Sequence, residues 1–409
     1  MPQYLSPGVY VEDVPPLVRP IAGVGTSTAG FVGVVPNNIK MPDQPGQFKK
    51  DKDGNLEKDE QGNPIPVPYT VAEAGKPQLI TGWEQFKNNF GDLQADNKTL
   101  AHAVYGFFNN GGTRCWITRV VNAAGLTSGL AEALRTFEPI DEIAIVAVPG
   151  ATSDAQHSAI LSHCFKMKDR VAILDGVQSA SVQNPEAIAP FGRGETGTYG
   201  AVYYPWIKIF DPLTADDPKT KGILPVPPSG HLAGIYARSD STRGVHKAPA
   251  NEVVIGALDV DIPLSKADQD GLNPEGINVI RSFNGTIKVW GARTRTDESH
   301  SEFRYVSTRR FLNFARESIE EGTQWVVFEP NSPVLWQRIT RNVSDFLLGQ
   351  WQAGALFGNS PKEAFFVKCD AETNPPNVRE LGQVVTEIGV AIVKPAEFVI
   401  FRIQQMTGG

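Results

Sequence analysis

Apolar residues in the first two thirds of the chain switch repeatedly between helical and strand-like spacing, which predicts helices layered on sheet. Residues 99–108 carry the helical period. Residues 31–35, 115–121, 143–148, 170–175 and 201–209 are short, nearly continuous apolar or aromatic runs of strand type. Ser307 reads as the N-cap of a helix over 308–321, with Phe311, Leu312, Ala315 and Ile319 on one face and Gly322 as its stop. A strand is expected at 324–328. Ser332-Pro333 supplies an N-cap and first-turn proline for a further helix reaching residue 350, buried through Leu335, Ile339, Val343, Phe346 and Leu347. Its other side, with Gln337, Arg338, Arg341, Ser344 and Asp345, must meet water or a partner. Strands at 363–368 and 384–392 follow.

The two ends of the chain read differently from its body. Val9-Tyr10-Val11-Glu12-Asp13-Val14 is a lone strand on a tether limited by Pro15-Pro16 and Pro20. Residues 396–406 are apolar on both faces, including Phe398, Val399, Ile400, Phe401 and Ile403 with Arg402 among them, so a strand there must be covered on both sides. Residues 37–70 depart in composition. They are polar, charged and broken by Pro and Gly, and read as a surface insertion turning at Asp53-Gly54. The expected organisation is an N-terminal strand arm over 1–22, an α/β domain over 23–250 carrying that insertion, a second domain over 251–394 and a C-terminal strand arm over 395–409.

Length supports this division, since 409 residues exceed what one hydrophobic core usually serves. A net charge of −7 gives no footprint for nucleic acid, which calls for a clustered positive face. Cys115, Cys164 and Cys369 are odd in number and far apart, so neither a disulfide framework nor a zinc site is indicated. The first residues lack the basic start and apolar stretch of a secretory signal. Synthesis in a reducing bacterial cytoplasm is the expectation. No apolar run approaches the length that spans a bilayer, so direct membrane insertion is not expected.

Candidate chemistry is thin. Gly192-Arg193-Gly194-Glu195-Thr196-Gly197 has the glycine spacing of a dinucleotide loop, but no clear strand leads in and an aromatic, β-prone stretch follows where a helix is needed. A nucleotide-binding α/β enzyme using this loop is the alternative reading. The stretch 23–30 lacks the lysine of a phosphate loop. Asp51-Lys52-Asp53-Gly54-Asn55 places its glycine two positions early for a calcium loop and would put Gly62 where the bidentate Glu belongs. The six histidines form no ligand cluster. Catalytic, cofactor and metal sites are therefore all read as none.

Several stretches taken in order resemble the tail sheath family of contractile phage tails and contractile injection systems. They are Tyr4-Leu5-Ser6-Pro7-Gly8-Val9-Tyr10-Val11-Glu12, Gly25-Thr26-Ser27-Thr28-Ala29-Gly30-Phe31-Val32-Gly33, Tyr203-Tyr204-Pro205-Trp206 and Pro227-Pro228-Ser229-Gly230-His231. Later come Leu272-Asn273-Pro274-Glu275-Gly276-Ile277-Asn278, Val289-Trp290-Gly291-Ala292-Arg293-Thr294, Gly354-Ala355-Leu356-Phe357-Gly358 and Pro395-Ala396-Glu397-Phe398-Val399. The resemblance covers nearly the whole chain outside the insertion. It implies a non-enzymatic subunit of mixed sheets flanked by helices, stacked as hexameric rings around an inner tube. Implied partners are further copies, the inner tube protein, baseplate and tail-terminator proteins and any sheath paralogues. The implied particle is assembled in the cytoplasm, as a phage tail or as a tail-like particle released from the cell. Arms at Val9, Tyr10, Val11 and Glu12 and at 398–403 would then complete β-pairing in neighbouring copies. The polar side of the 333–350 helix would touch the tube, with an ordinary solvated face as the alternative.

Overall fold

A computed structural model of the protein describes residues 20–400. Its strands are β1 Ala29–Val34, β2 Asp43–Phe48, β3 Pro66–Pro68, β4 Gln78–Ile80, β5 Cys115–Val120, β6 Ile145–Ala147, β7 Val171–Asp175 and β8 Gly200–Tyr204. They continue with β9 Ile207–Phe210, β10 Ile223–Val226, β11 Glu252–Val253, β12 Ala257–Val260, β13 Ile277–Phe283, β14 Thr286–Val289, β15 Phe365–Lys368 and β16 Glu387–Val390. Helices are α1 Trp83–Phe90, α2 Lys98–Asn109, α3 Leu130–Arg135, α4 Asp154–Met167, α5 Pro185–Ile188 and α6 Ser229–Arg243. They end with α7 Lys266–Leu272, α8 Val306–Gly322, α9 Pro333–Gln352, α10 Pro361–Ala364 and α11 Pro376–Glu380. The described chain separates into two compact units, one of residues 24–317 with 392–400 and the other of residues 20–23 with 318–391.

The larger unit is built on a nine-stranded sheet ordered β11-β14-β13-β8-β7-β6-β1-β5-β4. Its centre, from β13 through β5, is parallel, and antiparallel strands close both edges. A parallel sheet must be covered on both faces, and the strand sequences show it. In β1, Phe31 joins a core with α2 and α6 while its neighbour Val32 joins a second core with α3 and α4. In β7, Ile173 and Leu174 divide in the same way. Helices α2 and α6 touch closely because α6 presents glycine where they meet. A Cβ at Gly230 would lie 2.4 Å from Ala103 Cα, and one at Gly234 would lie 2.3 Å from the Phe107 carbonyl. The Gly/Thr/Ser stretch before β1 is a structural tie. Thr26 donates to Asp240 on α6 at 2.6 Å, and its carbonyl accepts from Arg310 on α8.

The run 201–209, expected as one strand, is two. Pro205 has no N–H for a ladder, so pairing stops at Tyr204, and β9 restarts in a separate three-stranded sheet ordered β10-β9-β12. Within the insertion, residues 45–63 are exposed, Ile39 is buried in the core, and the chain makes two turns. Asp51 accepts from the Asp53 and Asn55 amides, and Asp59 repeats the pattern with Gln61 and Asn63 eight residues on. Around the turns, Lys49 before them, Glu57 between them and Ile65 after them form a closed ring of backbone bonds, each amide donating to the carbonyl of another. The expected boundary at 250 is crossed by the large sheet, which draws β11, β13 and β14 from beyond it. The compact units divide at 317/318 instead.

In the smaller unit α9 begins as read, with Ser332 accepting from the Leu335 amide and Pro333 in the first turn. Helix α8, which runs across the division, starts earlier than expected. The Tyr305 carbonyl takes the Arg309 amide, so Ser307 lies inside the helix with a buried, unbonded hydroxyl and is not its cap. The strand expected at 324–328 is a short 3₁₀ turn over Gln324–Val326. The Val326, Val327 and Glu329 amides all bond locally there, leaving no free ladder. Phe328 is fully exposed at φ +67°, in the left-handed region. The segment expected as a strand from 363 opens instead with the short helix α10.

Candidate assembly interface

Strands β15 and β16 pair antiparallel through Phe365↔Val390, Phe366↔Gly389, Val367↔Ile388 and Lys368↔Glu387. Neither has a second β neighbour among the described residues. The Phe366 ring lies over Gly389, where a Cβ would come 2.1 Å from it. A two-stranded ribbon is marginal by itself, and each open edge presents unpaired amides and carbonyls to any strand laid beside it.

Helix α9 buries Leu335, Trp336, Ile339, Val343, Phe346 and Leu347. Of the polar residues singled out from the sequence, Gln337, Arg341 and Asp345 are exposed, while Arg338 and Ser344 are half-buried. Arg338 is engaged locally, 4.4 Å above the Trp325 ring and 3.6 Å from Glu329. Gln337 and Arg341 border a shallow depression shared with Thr340, Val367, Lys368 and Asp370. The surface offered by α9 is thus narrower than the sequence suggested.

The C-terminal segment returns to the larger unit and is fastened at Glu397. Arg293 grips the carboxylate with both arms of its guanidinium, Nε to Oε1 at 2.8 Å and Nη2 to Oε2 at 2.7 Å. Asn273 donates to Oε1 at 2.9 Å and the Tyr305 hydroxyl to Oε2 at 2.8 Å. Burial pushes this carboxyl up, but the hydrogen bonds from Arg293, Asn273 and Tyr305 outweigh it and hold Glu397 below the ordinary range. Arg293 is itself fixed. Asn278 on β13 bonds both its amide and its carbonyl, and Arg293 Nη1 donates to the Asn273 carbonyl. A groove of about 750 Å³ runs beside the fastened segment, bordered by Trp290, Arg281 and Lys266.

Immediately past the clamp, Phe398, Val399 and Ile400 are 69%, 68% and 76% exposed and belong to no strand. Phe401, Arg402 and Ile403, like Val9, Tyr10, Val11 and Glu12 of the N-terminal arm, lie outside the described residues. Sequence reading marked the exposed run but missed the clamp, because Asn273, Arg293 and Tyr305 stand 124, 104 and 92 residues from Glu397. The one available signal was that three of the family-like stretches contain Asn273, Arg293 and Glu397.

The glycine loop at 192–197 does not build a phosphate cradle. Helix α5 precedes it, and a 3₁₀ turn and then β8 follow where the motif needs a helix. Gly197 is there for packing, since a Cβ would lie 2.0 Å from the Arg295 carbonyl oxygen. Arg193 is occupied with the Thr296 carbonyl and Glu275.

The profile of the phage tail sheath protein central domain matches residues 120–295, and that of the phage tail sheath C-terminal domain matches residues 298–406. A tail sheath protein of Burkholderia phage BcepMu is 25% identical over 320 residues, 73% of this chain and 63% of the relative, so the match spans somewhat under two thirds of that relative's length. Among solved structures, the helical sheath of the anti-feeding prophage in its contracted state aligns over 98% of this chain and 99% of its own, at 29% identity and a TM-score of 0.72. The sheath complex of the extracellular contractile injection system PVC, also contracted, aligns over 99% of both chains at 27% identity and a TM-score of 0.72.

Proposed function

The chain belongs to the phage tail sheath family, and from that premise we propose that it is the repeating subunit of a contractile tail sheath. Copies stack as hexameric rings around an inner tube and shorten to drive that tube through a target envelope. The observation that carries this reading is a pair of unfinished β elements in one chain. Among the described residues the β15–β16 ribbon has no third strand on either edge, and Phe398, Val399 and Ile400, just past the clamp at Glu397, are each more than two-thirds exposed. Strand addition between copies satisfies both. A ladder of about five hydrogen bonds at ~1 kcal/mol each, with the apolar burial added, would hold neighbours together while the bodies rotate. The arms at Val9, Tyr10, Val11 and Glu12 and at 398–403 are the donated strands. Gln337, Arg341 and Asp345 face the inner tube, with Ser344 at the margin and Arg338 bracing the helix from beside Trp325. A baseplate and a terminator cap the two ends of the cylinder.

Contraction in this scheme consumes no nucleotide. Assembly traps an extended lattice of higher energy, and its release forms new contacts between subunits. Negative-stain microscopy of the purified chain is expected to show hollow cylinders, and deletion of 398–409 is expected to leave a folded, monomeric protein. Persistent wild-type monomers at high concentration, or normal cylinders from the truncated chain, would contradict the proposal.

A further inference from the structure

We infer that Glu397 is the fixed end of the C-terminal arm, a positioning residue that sets the arm's exit direction before any neighbour is met. This rests on the reading that the arm is donated to another copy. The carboxylate is saturated by four bonds from three side chains, and its main partner Arg293 is tied through Asn278 to the large sheet. Asn278 also donates to the Val202 carbonyl on β8, which carries the anchorage into the sheet's parallel centre. Glu397 is one-fifth exposed, yet the three apolar residues directly after it are each more than two-thirds exposed. A lone subunit gains nothing from holding a hydrophobic run in water at the end of so rigid a clamp. A subunit about to pair gains directly, because the root of its arm has lost its freedom before binding and the docking step no longer bears that entropy. Arm residues that follow a fixed point also pull on the body through it when the lattice rearranges.

The test compares Glu397→Gln, Tyr305→Phe and deletion of 398–409 in the full chain. For Glu397→Gln, hydrogen exchange in the isolated subunit is expected to speed up over 392–400 while the large sheet stays protected. The concentration needed for cylinder formation should rise about tenfold, out of proportion to any fall in thermal midpoint. Tyr305→Phe removes one bond and no charge, and should raise that concentration about threefold. A rise that tracks a fall in thermal midpoint would show a merely structural bridge and overturn the inference. So would wild-type exchange and wild-type assembly in both variants. If Glu397→Gln does not fold, Tyr305→Phe decides by the same two readouts. Unimpaired assembly of the 398–409 deletion would instead defeat the arm reading itself, which separates the two failures.

Discussion

Single residues set the acid limit of this protein. Burial holds His157, His163 and His231 at about 4, well below an ordinary imidazole. Each is neutral in both states above pH 6.5 and contributes nothing to pH dependence there. Between 6.5 and about 4 the unfolded chain takes up protons that the folded chain refuses, so stability falls as pH falls, at ~1.4 kcal/mol per pH unit for each such proton. Asp175 works the other way. Burial raises it to about 6 against three hydrogen bonds from Gly150 and Ser229, so it favours the folded state as pH drops from 6 toward 3.8. Three histidines outweigh one aspartate, and thermal melts from pH 7 to 4.5 are expected to show progressive loss, with a shallower slope in His157→Gln. The buried pair of Arg310 and Asp240 predicts a larger effect. Asp240→Ala strands a guanidinium that bonds Asp240 and the Thr26 carbonyl over the Tyr236 ring, and should cost ~3–5 kcal/mol in denaturant unfolding. Neither effect was legible in the sequence, where the histidines form no cluster and nothing singles out Asp240. Burial, which linear spacing does not report, makes them matter.

At the scale of elements the sequence was legible wherever one period ran uninterrupted. The strands near 31, 115, 145 and 171 and the helix from Pro333 emerged close to their expected places, because doubly buried strands and a capped amphipathic helix write themselves into local pattern. Errors came where a short apolar run had two possible uses. Residues 324–328 have strand composition but sit between Gly322 and Pro330, and a tight turn satisfied their amides first. Residues 201–209 were split by a proline whose consequence depends on which sheet the chain enters next. The same narrowing applies to α9, where Arg338 proved to be braced against Trp325 and Glu329. Arg341→Glu is therefore expected to abolish co-sedimentation with the inner tube while leaving the thermal midpoint within a degree or so. Arg338→Ala should instead lower stability by ~0.5–1 kcal/mol through the lost ring contact and leave tube binding near wild type.

For the whole molecule, the sequence was read as two domains meeting at 250, and long-range strand pairing runs across that position. The large sheet recruits β11, β13 and β14 across residue 250, and the compact units divide within α8. No local composition marks a helix that runs across such a division, so only the long-range pairing reveals it. Among the described residues the β15–β16 ribbon has no further strand, and subunit exchange is the central claim. The most direct measurement is a cryo-microscopy map of the assembled cylinder at side-chain resolution. Every β15–β16 ribbon is expected to be widened by strands whose chains trace to other copies, with 398–403 among them. A map in which the ribbon stays two-stranded and 398–403 folds back on its own body would contradict it.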